Sequence, residues 1–284
     1  MPVIRTLRAH ASVGLLLLAL AGMSGACAHK TKPVVATTEA DKYLFDQGTQ
    51  ALDKRQWPRA RQLFKQLVDN YPQSPYRPDA KLGLGDAYVG DGSTASLILG
   101  ANEFREFLTF FPTNPRAYYA QYKLALCHYE QMLAPQRDQT QTKDALKEFE
   151  IFVERYPDSP LIAEGRKKLQ ECRDRLSESD YLVGLFYYRA KWYPGAISRM
   201  SGVLKDNPKY NKLDELYYYL AETYVKVNLP AQGLPLLDKL VTDFPKSHYV
   251  ERAQKLMAAI KNGTAAPAVK AKKEKAAGKT SPTS

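Results

Sequence analysis

The chain has 284 residues, 44% of them apolar and 25% charged, enough for a sizeable core in one large or two modest domains. Its formal net charge is +11, but Arg5 and Arg8 near the start, and five lysines against Glu274 in the last 22 residues, carry more than half of it. The body between them is only weakly basic, which excludes nucleic acid as a partner.

Residues 1–26 open with a basic stretch, continue as an apolar run from about Ala11 to Ala21 and close on small residues. That run is shorter than the roughly 20 residues of a spanning helix, so it reads as an export signal peptide. Met23-Ser24-Gly25-Ala26, just before Cys27, resembles a bacterial lipobox, in which the cysteine becomes the lipidated first residue of the mature chain. Ser24 stands where that motif has leucine; Ser24 and Ala26 also fit an ordinary signal-peptidase cut at the same bond. Cys27 is the expected lipidation site, and residues 27–40 the linker that follows it.

From residue 41 to 262 one pattern recurs. Pro72, Pro112, Pro157, Pro208 and Pro245 are spaced 40, 45, 51 and 37 residues apart. Twelve positions before each is a small residue: Ala60, Gly100, Ala145, Ala196 and Gly233. Eight before each is a large apolar one: Phe64, Phe104, Phe149, Met200 and Leu237. Apolar residues also stand five and four positions before every proline, and these offsets define one face of an α-helix. The proline ends the helix, and the aromatic before it (Tyr71, Phe111, Tyr156 and Phe244; Asn207 in the fourth) is expected to fold back over the helix end.

A partner helix precedes each of these, with Gly48 and Gly184 each 12 residues before the small residue of its repeat. The pattern matches the tetratricopeptide repeat and predicts an all-α solenoid of five helix pairs, closed by a capping helix over residues 248–261. Extra residues in the second and third repeats are assigned to loops at 91–93 and 134–141. Cys127 and Cys172 occupy equivalent sites on successive first helices. Stacked helices lie about 8–10 Å apart, too far for a disulfide, so buried packing is expected.

No HExxH, CxxC, GxSxG or phosphate-binding glycine loop is present, and no catalytic residue, cofactor or metal is expected. Solenoids bind partners in the groove lined by their first helices, which here carry many of the 19 tyrosines. Tyr187, Tyr188, Tyr217 and Tyr218 are the candidate groove aromatics. Of the run Tyr217–Tyr219, at least one ring is expected to face outward. Such a groove suits an extended peptide that is aromatic or ends in a carboxylate; cementing the repeats is the competing role for the same rings.

The leader, WPRARQLFKQLVDNYPQSPY (57–76), ALKEFEIFVERYPDSP (145–160) and SESDYLVGLFYYRAKWYPGAISRMSGVL (177–204) together resemble the BamD family of outer-membrane-assembly lipoproteins. The resemblance spans roughly residues 27 to 260. It implies a scaffold lipid-anchored on the periplasmic face of the outer membrane. It further implies binding to the POTRA-bearing barrel insertase and to unfolded outer-membrane protein clients. By the same resemblance Tyr71 and Arg199 are candidate client and insertase contacts, with Arg55, Arg59 and Arg61 behind them.

The loop at 133–141 is shorter than in many relatives, which bears on contacts with accessory lipoproteins. Residues 263–284, rich in Ala, Lys, Pro and Ser, are expected to form a disordered basic tail. Two other functions compete. An envelope adaptor of the Tol–Pal or cell-division type shares the Tyr-Pro-x-Ser corner, but residues 28–42 lack the coiled-coil heptads usual there. A glycan-acting enzyme on a helical scaffold needs a carboxylate pair in a cleft, and the sequence offers none.

Overall fold

The computed structural model describes residues 37–265; the leader, Cys27 and most of the basic tail lie outside them. Eleven helices fill the described residues. They are α1 (Thr37–Asp53), α2 (Trp57–Asn70), α3 (Arg77–Asp91), α4 (Thr94–Phe110), α5 (Ala117–Tyr129) and α6 (Thr140–Arg155). Then come α7 (Ile162–Arg189), α8 (Tyr193–Asp206), α9 (Leu213–Lys226), α10 (Pro230–Asp243) and α11 (Val250–Lys261). Each helix packs on the next, giving five antiparallel pairs and a terminal helix, a tetratricopeptide-type α-solenoid.

The five corners share one geometry. The residue before each proline caps its helix at φ −126° to −139° and ψ 52° to 80°, out of the α region that a following proline disfavours. Its N–H still reaches the carbonyl four residues back, as Tyr71 does to Leu67 at 3.0 Å. Its own carbonyl then accepts from the N–H three residues on, and in the first corner that residue, Ser74, turns its hydroxyl to the Tyr76 N–H at 3.1 Å. Ser159 and Ser247 repeat the arrangement, and Asn114 does so with its amide oxygen. The corner thus ends one helix and satisfies free N–H groups ahead of the next. The aromatic does fold back: Phe111 lies 5.3 Å from Phe107, and Phe244 lies 6.2 Å from Tyr217.

Close helix approach comes from glycine facing phenylalanine. The Phe64 ring is held between Gly48 of its own repeat and Gly83 of the next; a Cβ on either would lie 2.6 Å from it. Gly85 receives Phe104 and Gly165 receives Phe152 in the same way. Phe64, Phe104, Phe149 and Phe152 are essentially inaccessible, each worth about 1.5–3 kcal/mol of burial.

The third interval, from Pro157 to Pro208, holds a departure from a plain stack. Its 51 residues are taken up not by a loop but by α7, which at 28 residues runs about 42 Å. The N-terminal half of α7 packs with α5 and α6, in a core that ends at Cys172. Its C-terminal half packs with α8 and α9, in a core that begins at Tyr181. Between the two cores lies Arg173-Asp174-Arg175-Leu176-Ser177-Glu178-Ser179-Asp180, polar on nearly all sides, as expected of a helix that bridges two packed bodies.

This step explains the odd corner. Asn207 sits beside the middle of α7, where its amide donates to Asp174 (2.8 Å) and Ser177 (3.0 Å) and accepts from Gln170 (3.1 Å). Tyr210 supplies the missing ring, buried against Tyr181 with its hydroxyl on Glu178.

Candidate binding surfaces

The tyrosines are committed elsewhere than a free groove. Tyr119 donates to Asp86 at 2.8 Å, Tyr122 to Glu164 at 2.6 Å and Tyr129 to Glu171, each joining the first helices of successive repeats. Burial foremost, with the adjoining carboxylate adding to it, raises the Tyr119, Tyr122, Tyr129 and Tyr210 phenols well above their ordinary range, so they remain donors. Lys123 and Arg116 add ion pairs to Asp86 (3.0 Å) and Asp79 (2.9 Å) along the same seam. Most of this first-helix surface is therefore satisfied within the chain.

The run at 217–219 departs from expectation. Tyr217 and Tyr218 lie in the core, 9% and 6% exposed, and Tyr219 is half-buried, so no ring of the three faces solvent fully. The last corner and α11 account for this: Phe244 lies 6.2 Å from Tyr217, Tyr249 at the α11 cap stacks on Tyr218 at 5.3 Å, and the Arg252 guanidinium lies over the Tyr218 ring at 4.3 Å. Tyr188 joins this cluster edge-on to Tyr219 at 5.4 Å. Tyr187 points elsewhere, meeting Trp192 at 4.4 Å.

The candidate contacts do not form one site. Tyr71 is half-buried against the first core, around Phe64 and Leu67. Arg55 and Arg59 are exposed near the α1–α2 turn, whereas Arg61 is half-buried over the Tyr88 ring at 5.1 Å. Arg199 lies on α8, with the second core, and pairs with Asp180 of α7 at 2.8 Å, each side chain half exposed. Asp180 lines a cleft of about 350 Å³ between α6, α7 and α8, floored by Leu146, Leu176 and Val203. A second ion pair, Arg173 to Glu150 at 2.9 Å, also belongs to this cleft. A cleft with an apolar floor and two openable ion pairs can accept a partner's apolar side chain and exchange its charges. A further cleft of about 480 Å³, lined by Tyr129, Glu171, Glu178 and Lys212, lies between α5 and α9.

Two features escaped the sequence. Lys81 is buried at 4% exposure, held by Glu103 and Glu106 at 2.7 Å each, across 22 and 25 residues of chain. Nothing local marks such a lysine. Phe186 and Trp192, 65% and 54% exposed, could have been found by aligning the repeats position by position. Among the described residues there is no cluster of His, Cys, Asp or Glu able to hold a metal, and no helix is long and apolar enough to cross a membrane.

Paired helices, proline corners and partly polar clefts define a repeat protein of the scaffold class. Its sequence belongs to the YfiO family of outer membrane lipoproteins, whose profile matches residues 37–235. Among its relatives is the outer membrane protein assembly factor BamD of Caulobacter vibrioides, 26% identical over 85% of this chain and 78% of that one. BamD of Neisseria gonorrhoeae is 24% identical over 85% of this chain and 92% of its own length. BamD of Vibrio cholerae is 25% identical over 75% and 90%. A solved tetratricopeptide domain, that of P58(IPK), covers 80% of this chain at a TM-score of 0.39 and 11% identity.

Proposed function

We propose that the chain is a non-enzymatic adaptor of outer-membrane protein assembly. In this reading Cys27 carries the lipid that holds it on the periplasmic face of the outer membrane. Its partners are the POTRA-bearing barrel insertase, unfolded outer-membrane protein clients and accessory lipoproteins. The family match over residues 37–235, shared with relatives that are themselves assembly factors, carries the proposal.

Arg199 is the proposed insertase contact. Its pair with Asp180 is half exposed on both sides, worth about 0–1 kcal/mol, so a partner carboxylate can displace Asp180 at little cost. Tyr71, Arg55, Arg59 and Arg61 are proposed contacts on the first repeat. Tyr187 and Tyr188 remain candidates for client contact, whereas Tyr217 would need the last corner, and Tyr218 would need α11, to move.

Affinity purification from envelopes tests this. Recovery of a barrel with POTRA domains is expected, and the Arg199→Glu variant should recover markedly less of it with unchanged helical content. Recovery of Tol–Pal components alone would overturn the adaptor reading. Undiminished recovery by Arg199→Glu would remove only Arg199.

A further inference from the structure

The first and fourth repeats turn from first to second helix through the same backbone, which provides an internal control. Arg55 (φ 56°) and Lys191 (φ 62°) hold the left-handed position, Gln56 and Trp192 are the N-caps, and Trp57 and Tyr193 open the second helix, each followed by proline. The buried packing role in this turn belongs to the opening residue, and Tyr193 fills it at 7% exposure. The cap position needs no ring, and in the first repeat it is an exposed glutamine.

On that register three positions change character together. Gln50, Asp53 and Gln56 of the first repeat become Phe186, Arg189 and Trp192 of the fourth. All three of the first set are exposed and polar; the second set is equally exposed but aromatic and cationic. Trp192 packs its indole onto Gly195 of α8, where a Cβ would sit 2.4 Å from the ring. Tyr187 meets it edge-on, and Phe186 lies 5.8 Å from Tyr187. The ring is thus held in place without being covered, so little conformational freedom remains to be lost on contact. Arg189 and Lys191 beside it are exposed and make no ion pair among the described residues.

We infer that this aromatic shelf at the α7–α8 turn is a docking surface for an acidic polypeptide segment that carries an aromatic or large aliphatic anchor. The exposed rings take the anchor; Arg189 and Lys191, unopposed within the chain, take the acidic flanks. The surface does not depend on the Arg199 contact, which uses a different charge, already paired with Asp180.

Trp192 is one of only two tryptophans, so indole fluorescence reports the site. The full mature chain is titrated with a synthetic peptide bearing Phe between aspartates, and with its counterpart bearing lysines instead. A saturable emission change with the acidic peptide, absent with the basic one and absent in Trp192→Phe, is expected. Arg189→Glu combined with Lys191→Glu should weaken the acidic peptide about tenfold or more. Phe186→Ser, at a position that packs little, should weaken it while leaving the thermal melt in place. An equal response to both peptides, no saturable response, or unchanged affinity in the charge-reversed variant would overturn the inference.

Discussion

The glycine pair around Phe64 makes a quantitative test of how the repeats approach one another. Gly83→Ala should gain about 1 kcal/mol of helix propensity. It also places a methyl 2.6 Å from the Phe64 ring, which is 1% exposed and already abuts Gly48 on its other side. With nowhere for the ring to retreat, overpacking costs about 1–3 kcal/mol, so the substitution should destabilise the protein by about 1 kcal/mol net. Phe64→Leu removes the ring carbons that clash and by itself costs about 1–2 kcal/mol. In that background Gly83→Ala should turn neutral or stabilising, a coupling of about 1–2 kcal/mol. Urea unfolding of the four proteins, with the slope unchanged, measures it. Additivity within about 0.5 kcal/mol would refute the claim that glycine is there to admit the ring.

Asn207→Ala should cost about 2–3 kcal/mol in the same assay, because it strips buried partners from Asp174 and Ser177 at once. Asn228→Gly should stabilise by about 1 kcal/mol, read as a rise in Tm, since Asn228 holds φ 64° where glycine pays no steric cost. Cys127 and Cys172 are inaccessible and their thiols are pushed up to about 12 by burial, so a disulfide reagent at pH 8 should label them only after denaturant is added. The same shifts, with those of the buried tyrosines, set the alkaline limit. Above the unfolded thiol and phenol values of about 9 and 10 the unfolded chain releases protons that the folded one keeps. These groups therefore leave stability unchanged between about pH 6 and 8 and make it fall steadily beyond, and Cys127→Ala should soften the fall.

The repeat was legible because its signal is local. Four offsets before each proline fix a helix face, and the proline fixes its end, so the pairs, their order and the terminal helix follow from spacing alone. The corner aromatics were legible for the same reason. Contacts between first helices of neighbouring repeats were not, because they depend on how the pairs stack. Tyr119 and Asp86, or Tyr122 and Glu164, are brought together only by that stacking. In the sequence, extra residues are assigned only to loops of the second and third repeats, because a spacing of 51 residues does not by itself say that its excess is helix. Asn207, read as a mere exception to an aromatic rule, proved to be fitted to α7. Of the binding surfaces, Arg199 came through family resemblance, whereas Tyr217 and Tyr218 proved buried, Tyr217 against Phe244 of the last corner and Tyr218 under Tyr249 and Arg252. The exposed rings at 186 and 192 were hidden in a segment already rich in aromatics.

The length of α7 gives the molecule a lever. Helices α5 and α6 grip one end of a rod about 42 Å long, and α8 and α9 grip the other. Among the described residues, every ion pair and side-chain hydrogen bond joining the two sets passes through that rod; none runs directly from α5 or α6 to α8 or α9. A bend of about 10° at its polar middle would swing either end by about 4 Å, with neither core disturbed. Tyr71 and Arg199 ride on opposite arms, so the span between them is set by the curvature of one helix.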